Sequence, residues 1–280
     1  MTVVDDVTPF GTYRPAGLVA ALVRFTRGCG TDWLGKRMAF TARRAALALL
    51  RKPVDIDVFG ASMRLYPFKN VCEKRTLFTP QLFDPLERAF LDETLKEGGI
   101  VVDIGANVGV YTLFAASRVG HAGRVIAVEP QPSVLKRLRF NIAINDFSNV
   151  TVLPIAIADK EGDITLFLDT LNEGEASMKH VGAGSAAGTV VSVPARPLTD
   201  MLASEALPRI DVLKLDVEGA EDLILVPFFR DAPESLLPGA IILENGSGSW
   251  QSDLVALALG KGYRIRGKGR LNLILEREGA

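Results

Sequence analysis

Val101-Val102-Asp103-Ile104-Gly105-Ala106-Asn107-Val108-Gly109 carries an apolar strand into a turn of small residues and out into a helix. Small residues at such a turn let a ligand approach the backbone, and the helix N-terminus beyond them presents unpaired N–H groups to it. The glycines are spaced G-x-x-x-G, unlike the dinucleotide fingerprint, and an acid, Asp103, stands at the strand end before the first of them. A carboxylate there opposes a pyrophosphate and suits a cationic ligand.

Working outward, the next strand pattern, Arg124 to Val128, ends in Glu129. A carboxylate at that point can accept both hydroxyls of a ribose. Asp103 and Glu129 in register describe a site for an adenosine compound that carries cations and no phosphate, which is the chemistry of S-adenosylmethionine (SAM). From Ile100 onward short apolar runs alternate with helical patterns: strands Ile100–Ile104, Arg124–Val128 and Val150–Leu153, helices Val108–Arg118 and Ser133–Asn145. That alternation predicts a parallel sheet with helices on both faces. Asp163–Leu168 and Thr189–Val193 read as strands around a Gly/Ala/Ser-rich loop, Ile210–Leu215 and Ala240–Leu243 resume the alternation, and Tyr263–Arg266 with Leu271–Leu275 reads as a hairpin.

The 280 residues, 48% of them hydrophobic, suffice for one ordinary domain with an added segment. The formal net charge of -1 argues against a surface devoted to nucleic acid. Cys29 and Cys72 stand far apart without CxxC spacing, which suggests neither a disulfide framework nor a zinc site. The N-terminus lacks a signal-peptide pattern and no apolar run reaches bilayer length, so the expected setting is cytoplasmic. Between Tyr13 and Lys52 nine Lys or Arg residues face one acid, Asp32, among regularly spaced leucines and valines. This reads as basic amphipathic helix, either a cap on the main domain or a peripheral contact with an anionic membrane surface. Val54–Phe59 and Ser62–Tyr66 predict two short strands around Gly60, and Thr79–Leu95 a helix entered through Pro85. The expected division is an N-terminal accessory segment over 1–96 and a catalytic domain over 97–280.

The stretch from Gly99 to Asn245 resembles the FkbM family of SAM-dependent methyltransferases. The resemblance rests on Val102 to Gly109, on Glu129-Pro130, on Ala156-Ile157-Ala158-Asp159, and on Ile210-Asp211-Val212-Leu213-Lys214-Leu215-Asp216-Val217-Glu218-Gly219-Ala220-Glu221. It implies a Rossmann-like class I methyltransferase fold, a seven-stranded mostly parallel sheet whose last two strands are the C-terminal hairpin. Carried over by position, it places Asp103, Gly105, Ala106 and Asn107 around the methionine moiety, with Gly109 a further cofactor-binding position of the same turn. Glu129 falls on the ribose, and Ala156 and Ile157 offer backbone to the adenine with Asp159 as a helper. The implied activity is O-methylation of a hydroxyl on a sugar, glycan or polyketide-like natural product.

Methyl transfer from a sulfonium is an in-line displacement that needs alignment, and an alcohol nucleophile must also lose its proton. Ligands of open α/β sheets sit beyond the C-terminal ends of the strands, where Lys214 and Asp216 fall, with strand alternation putting both on one side. Asp216 is the expected base or orienter, supported by Lys214 and Glu218. Glu244 ends the following strand and His180, in the Gly/Ala/Ser-rich loop, is a further candidate proton acceptor. Glu221 fits a helix start through capping and the helix dipole. Asp216, Glu218 and Glu244 also form a set of oxygen donors of the kind that binds a divalent cation, although no metal is the expectation. A basic cluster on the hairpin, Lys261, Arg264, Arg266, Lys268 and Arg270, suits acidic groups or solvent. The competing readings are a SAM- or nucleotide-binding module without catalysis, against which the acidic cluster counts, and a nucleic-acid methyltransferase, whose Asn/Asp-Pro-Pro-Tyr motif is absent.

Overall fold

The computed structural model describes residues 4–68, 70–168, 176–177, 189–246, 248 and 250–279. Its central sheet is built from β1 (Ile100–Ile104), β2 (Arg124–Val128), β3 (Val150–Leu153), β4 (Val212–Leu215), β5 (Ala240–Glu244), β6 (Tyr263–Lys268) and β7 (Asn272–Arg277). Their spatial order is β6-β7-β5-β4-β1-β2-β3, with β7 antiparallel to both of its neighbours and the other pairs parallel. This is the class I methyltransferase sheet, and its order reverses at the β1/β4 boundary, where open α/β sheets bind ligands.

β1 is buried along its whole length because helices cover both faces, which is why it reads as an unbroken apolar run. Alternation splits the sheet's side chains between two cores. Val102, Ile104, Ile126, Leu213, Leu215 and Leu243 face one way, onto helices Leu198–Ser204, Glu221–Asp231 and Leu254–Gly260. Val101, Val125, Val212 and Ile242 face the other, onto helices Pro85–Thr94 and Val110–Val119.

Several sequence expectations shift. The helix expected from Val108 begins at Val110, because Asn107 (φ 51°) and Gly109 (φ 95°) lie in the left-handed region. The helix expected over Thr79–Leu95 is a 3-10 turn, Pro80–Leu82, followed by Pro85–Thr94. Pro85 disfavours helical backbone at the residue before it, and Asp84 takes φ 41°. A helix at Val71–Phe78 was not expected, since Glu73 and Thr76 on it are buried and blur its amphipathic period. The two strands expected around the Gly/Ala/Ser-rich loop belong to a small second sheet, ordered Ala156–Ile157, Thr189–Arg196, Gly162–Leu168, Ala176–Ser177.

The N-terminal basic stretch forms two helices, Gly17–Gly28 and Trp33–Leu49, and the hairpin pairs Val54–Val58 with Ala61–Leu65. These share a core with the rest of the chain: Val54, Met63, Leu77, Phe78 and Phe83 pack with Val108, Val110, Leu113 and Val134. Two buried ion pairs lie in this region, Arg64–Asp55 at 2.7 Å and Arg137–Glu73 at 2.8 Å. Lone buried charges are costly, and each of these is paired and further hydrogen-bonded.

Candidate active site

A cavity of about 380 Å³ opens at the C-terminal ends of β1, β2, β4 and β5. One wall comes from the turns after β1 and β2. Gly105 (φ 76°) lies against the turn after β4 so closely that a Cβ added to it would sit 1.9 Å from the Asp216 carbonyl oxygen. Glu129 is buried, and its two carboxylate oxygens accept from the Asn107 and Gln131 backbone N–H groups, each at 2.9 Å. Burial pushes its carboxyl up to about 7 against those hydrogen bonds. Asp103 Oδ2 accepts from Thr112 Oγ1 at 2.6 Å, while its buried Oδ1 has no hydrogen-bond partner among the described residues and lies 3.8 Å from Lys214 Nζ. Burial raises the Asp103 carboxyl above the ordinary range, and Lys214 opposes that rise. A buried carboxylate oxygen with spare acceptor capacity, a backbone cradle that only glycine fits, and a rigid second carboxylate match a ligand with a cation at one end and a diol beyond it.

The other wall is acidic. Lys214 pairs in register with Asp103 across β4 and β1, so both project from one face of the sheet. Asp216 follows two residues on, and its Oδ2 accepts from Lys214 Nζ at 3.0 Å. Its side chain is 38% exposed, against 5% for Lys214 and 1% for Asp103. Lys214 Nζ also stands 4.9 Å from the centre of the Tyr111 ring. Desolvation favours the neutral amine, but Asp216 and Asp103 outweigh it and hold Lys214 protonated. Glu244 is pushed up to about 9, first by burial and then by Asp216 and Glu218. That shift favours its protonated form, which can donate a hydrogen bond. Glu218 lines the cavity from a turn with φ 56°.

Asp103, Gly105, Ala106, Asn107, Glu129, Ala156, Ile157, Lys214, Asp216, Glu218 and Glu244 all line this one cavity. Two expected cofactor residues do not. Gly109 packs under Leu138, whose Cδ1 would lie 2.7 Å from an added Cβ, and Asp159 is exposed on the loop between the small sheet's strands Ala156–Ile157 and Gly162–Leu168. Gly109 therefore shapes the helix entry and makes no ligand wall. His180 lies outside the described residues. Glu221 is buried: Oε1 accepts from the Val217 and Gly219 backbone N–H groups, and Oε2 from Trp250 Nε1 at 2.7 Å. It fixes the turn that carries Asp216 and Glu218. Among the described residues no group of three His, Cys, Asp or Glu side chains has metal-binding geometry.

Sequence reasoning missed the contribution of residues 70–84. Asn70, Cys72, Arg75, Phe83 and Asp84 line the cavity, as do Tyr111 and Asn272. Asp84 accepts from Arg75 at 2.8 Å and from Tyr111 Oη at 3.0 Å, and burial keeps the Tyr111 phenol protonated for that bond. Burial pushes the Cys72 thiol up to about 12, which disfavours its thiolate. The available signal was Asn70-Val71-Cys72-Glu73, the residue spacing of a capping box.

A family model described as the methyltransferase FkbM domain matches residues 103–247. The methyltransferase sdnD of Sordaria araneosa is 30% identical over 154 residues, 45% of this chain and 59% of that protein. The 31-O-demethyl-FK506 methyltransferase FkbM of Streptomyces tacrolimicus is 26% identical over 197 residues, covering 61% of this chain and 75% of that one. The antimetabolite synthetase AmbE of Pseudomonas aeruginosa is 28% identical over 180 residues, 50% of this chain but 8% of its own length.

Proposed function

Because the chain belongs to the FkbM methyltransferase domain family, we propose that it O-methylates a hydroxyl of a small sugar-, glycan- or polyketide-like acceptor. The methyl donor is SAM, which supplies an electrophilic methyl on a sulfonium. Asp103, Gly105, Ala106 and Asn107 would hold its methionine portion, Glu129 its ribose, and Ala156 and Ile157 its adenine. The 31-O-demethyl-FK506 methyltransferase acts, by its name, on an O-demethyl compound, which supports an oxygen nucleophile here.

The observation that carries the reading is Asp216, half-open to the cavity, clamped by Lys214 and seated against Gly105 at the ligand-binding end of the sheet. In this reading Asp216 accepts the acceptor hydroxyl's proton as the oxygen attacks, and protonated Lys214 fixes the carboxylate's direction. Neutral Glu244 donates to a second acceptor oxygen, and Glu218 borders the entrance. The test is isothermal titration with S-adenosylhomocysteine (SAH) followed by a labelled-methyl screen over glycans, polyketides and RNA. SAH binding with label transferred to a hydroxyl supports the reading, whereas label on nitrogen or carbon, or on RNA alone, overturns it.

No described helix is long and apolar enough to cross a membrane. The two N-terminal helices nevertheless expose Leu18 (63%), Trp33 (71%) and Leu34 (57%) beside exposed Arg24, Lys36, Arg37 and Arg44. Exposed apolar side chains interspersed with cations on these helices fit an anionic lipid surface. Gln81 Nε2 donates to the Thr26 and Cys29 carbonyls, tying the end of the first helix to the segment that leads into Phe83 and Asp84 on the cavity wall. In this arrangement the chain works at a membrane face with its acceptor wall nearby.

A further inference from the structure

The turn after β1 holds Asn107 at φ 51°, a left-handed conformation that asparagine tolerates and glycine adopts freely. Asn107 is a hub: its backbone N–H donates to Glu129 Oε2 at 2.9 Å, and its side-chain oxygen accepts from the Val108 N–H at 2.9 Å. That same oxygen accepts from Asn70 Nδ2 at 3.1 Å. Asn70 is fully buried and comes from a segment that precedes the family-matched residues. Its own side-chain oxygen caps the helix Val71–Phe78 by accepting from the Glu73 N–H at 3.0 Å.

The same helix reaches the second arm of the cofactor wall. Glu73 Oε2 pairs with Arg137 at 2.8 Å, and Arg137 lies on the helix Pro132–Ala143 that follows Glu129. One short helix therefore grips both the turn that carries Asn107 and the helix behind Glu129. We propose that Asn70 is a positioning residue for the SAM site: its amide holds the Asn107 turn in the conformation that aims the backbone at the ligand and fixes the Glu129 carboxylate. This rests on the SAM-binding reading above and extends the site into the N-terminal segment.

The test must separate donating to Asn107 from capping the helix. Asn70→Ser keeps a good capping oxygen but is too short to reach Asn107. Titration of SAH into the whole chain is expected to show about a tenfold loss of affinity, the upper range for one hydrogen bond, with the melting temperature of the ligand-free protein nearly unchanged. Glycine needs no support in the left-handed region, so in an Asn107→Gly background Asn70→Ser is expected to change SAH affinity less than about twofold. An equal loss in both backgrounds, or none in the first, overturns the proposal. Should Asn70→Ser fail to fold, Asn70→Asp retains the cap and presents an acceptor to the Asn107 oxygen, with the same expectation and the same overturning results. Wild-type chain that does not bind SAH overturns the SAM reading itself, whereas tight wild-type binding with an unresponsive Asn70 overturns only this inference.

Discussion

The two walls of the cavity differ in how they hold their carboxylates. On the wall proposed to hold the cofactor, Asp103 and Glu129 are 1% and 6% exposed, and Glu129 is immobilised by two backbone N–H groups. On the acceptor wall, Asp216 is 38% exposed and Glu244 competes with Asp216 and Glu218 for negative charge. A fixed wall suits one invariable ligand whose charges are known in advance. A wall of mutually repelling acids anchored through Lys214 suits proton movement and a variable acceptor.

The sharpest way to break the cofactor wall is Gly105→Ala. The added methyl meets the backbone of Asp216, which cannot rotate away, and the φ of 76° is strained for alanine. SAH affinity should fall by roughly two orders of magnitude or more, the scale of the largest single-residue effects, with a lower melting temperature. Affinity and stability like the wild type would mean that the two turns cross more loosely than described.

A smaller effect follows from Glu129. Its carboxyl is raised from 4.5 to about 7, so between those values the folded chain keeps a proton that the unfolded chain has lost. The linkage sign is then fixed: this group costs nothing below pH 4.5, its burial penalty grows between pH 4.5 and about 7, and above that it is constant. That penalty is at most about 3 kcal/mol in the ligand-free chain. In the proposed site the ionised carboxylate accepts the ribose hydroxyls of SAH, so its affinity should rise over the same window. Glu129→Gln should weaken SAH by about 1 to 3 kcal/mol at pH 8 and remove this part of both pH slopes. A variant with the wild-type profile would show that another group titrates.

The two N-terminal helices supply no residue to the described cavity lining. Replacing Arg24, Arg37 and Arg44 by Glu should lower binding to vesicles containing anionic lipid by about tenfold or more, given about 1 kcal/mol per basic residue near such a surface, and leave SAH affinity alone. Absence of vesicle binding by the wild type, or binding insensitive to these changes, removes the membrane reading.

The same contrast explains what was legible in the sequence. Asp103, Gly105 and Glu129 each stand directly after a strand, so a window of a few residues carries both the element and its chemistry. β1, β2 and β3 were read with their observed bounds for that reason. Lys214 and Asp216 were legible because strand alternation is short-range. The remainder of the acceptor wall is assembled from Arg75, Asp84, Tyr111 and Asn272, which only tertiary packing brings together. The helix Val71–Phe78 escaped because its polar side chains, Glu73 and Thr76, are buried. Gly109 and Asp159 lie off the cavity lining, since motif spacing records position along the chain and not the direction a residue faces.

The division of labour between the walls is tested most directly by Asp216→Asn, measuring turnover with an acceptor from the methyl-transfer screen alongside SAH affinity. Asparagine keeps the size of the side chain and a hydrogen-bonding oxygen for Lys214 but removes the base. Turnover should fall about 10²-fold or more, the usual scale for a general base, while SAH affinity stays within about twofold because Asp216 acts mainly in the transition state. Wild-type turnover, or a loss of SAH affinity that matches the loss of turnover, would contradict the account.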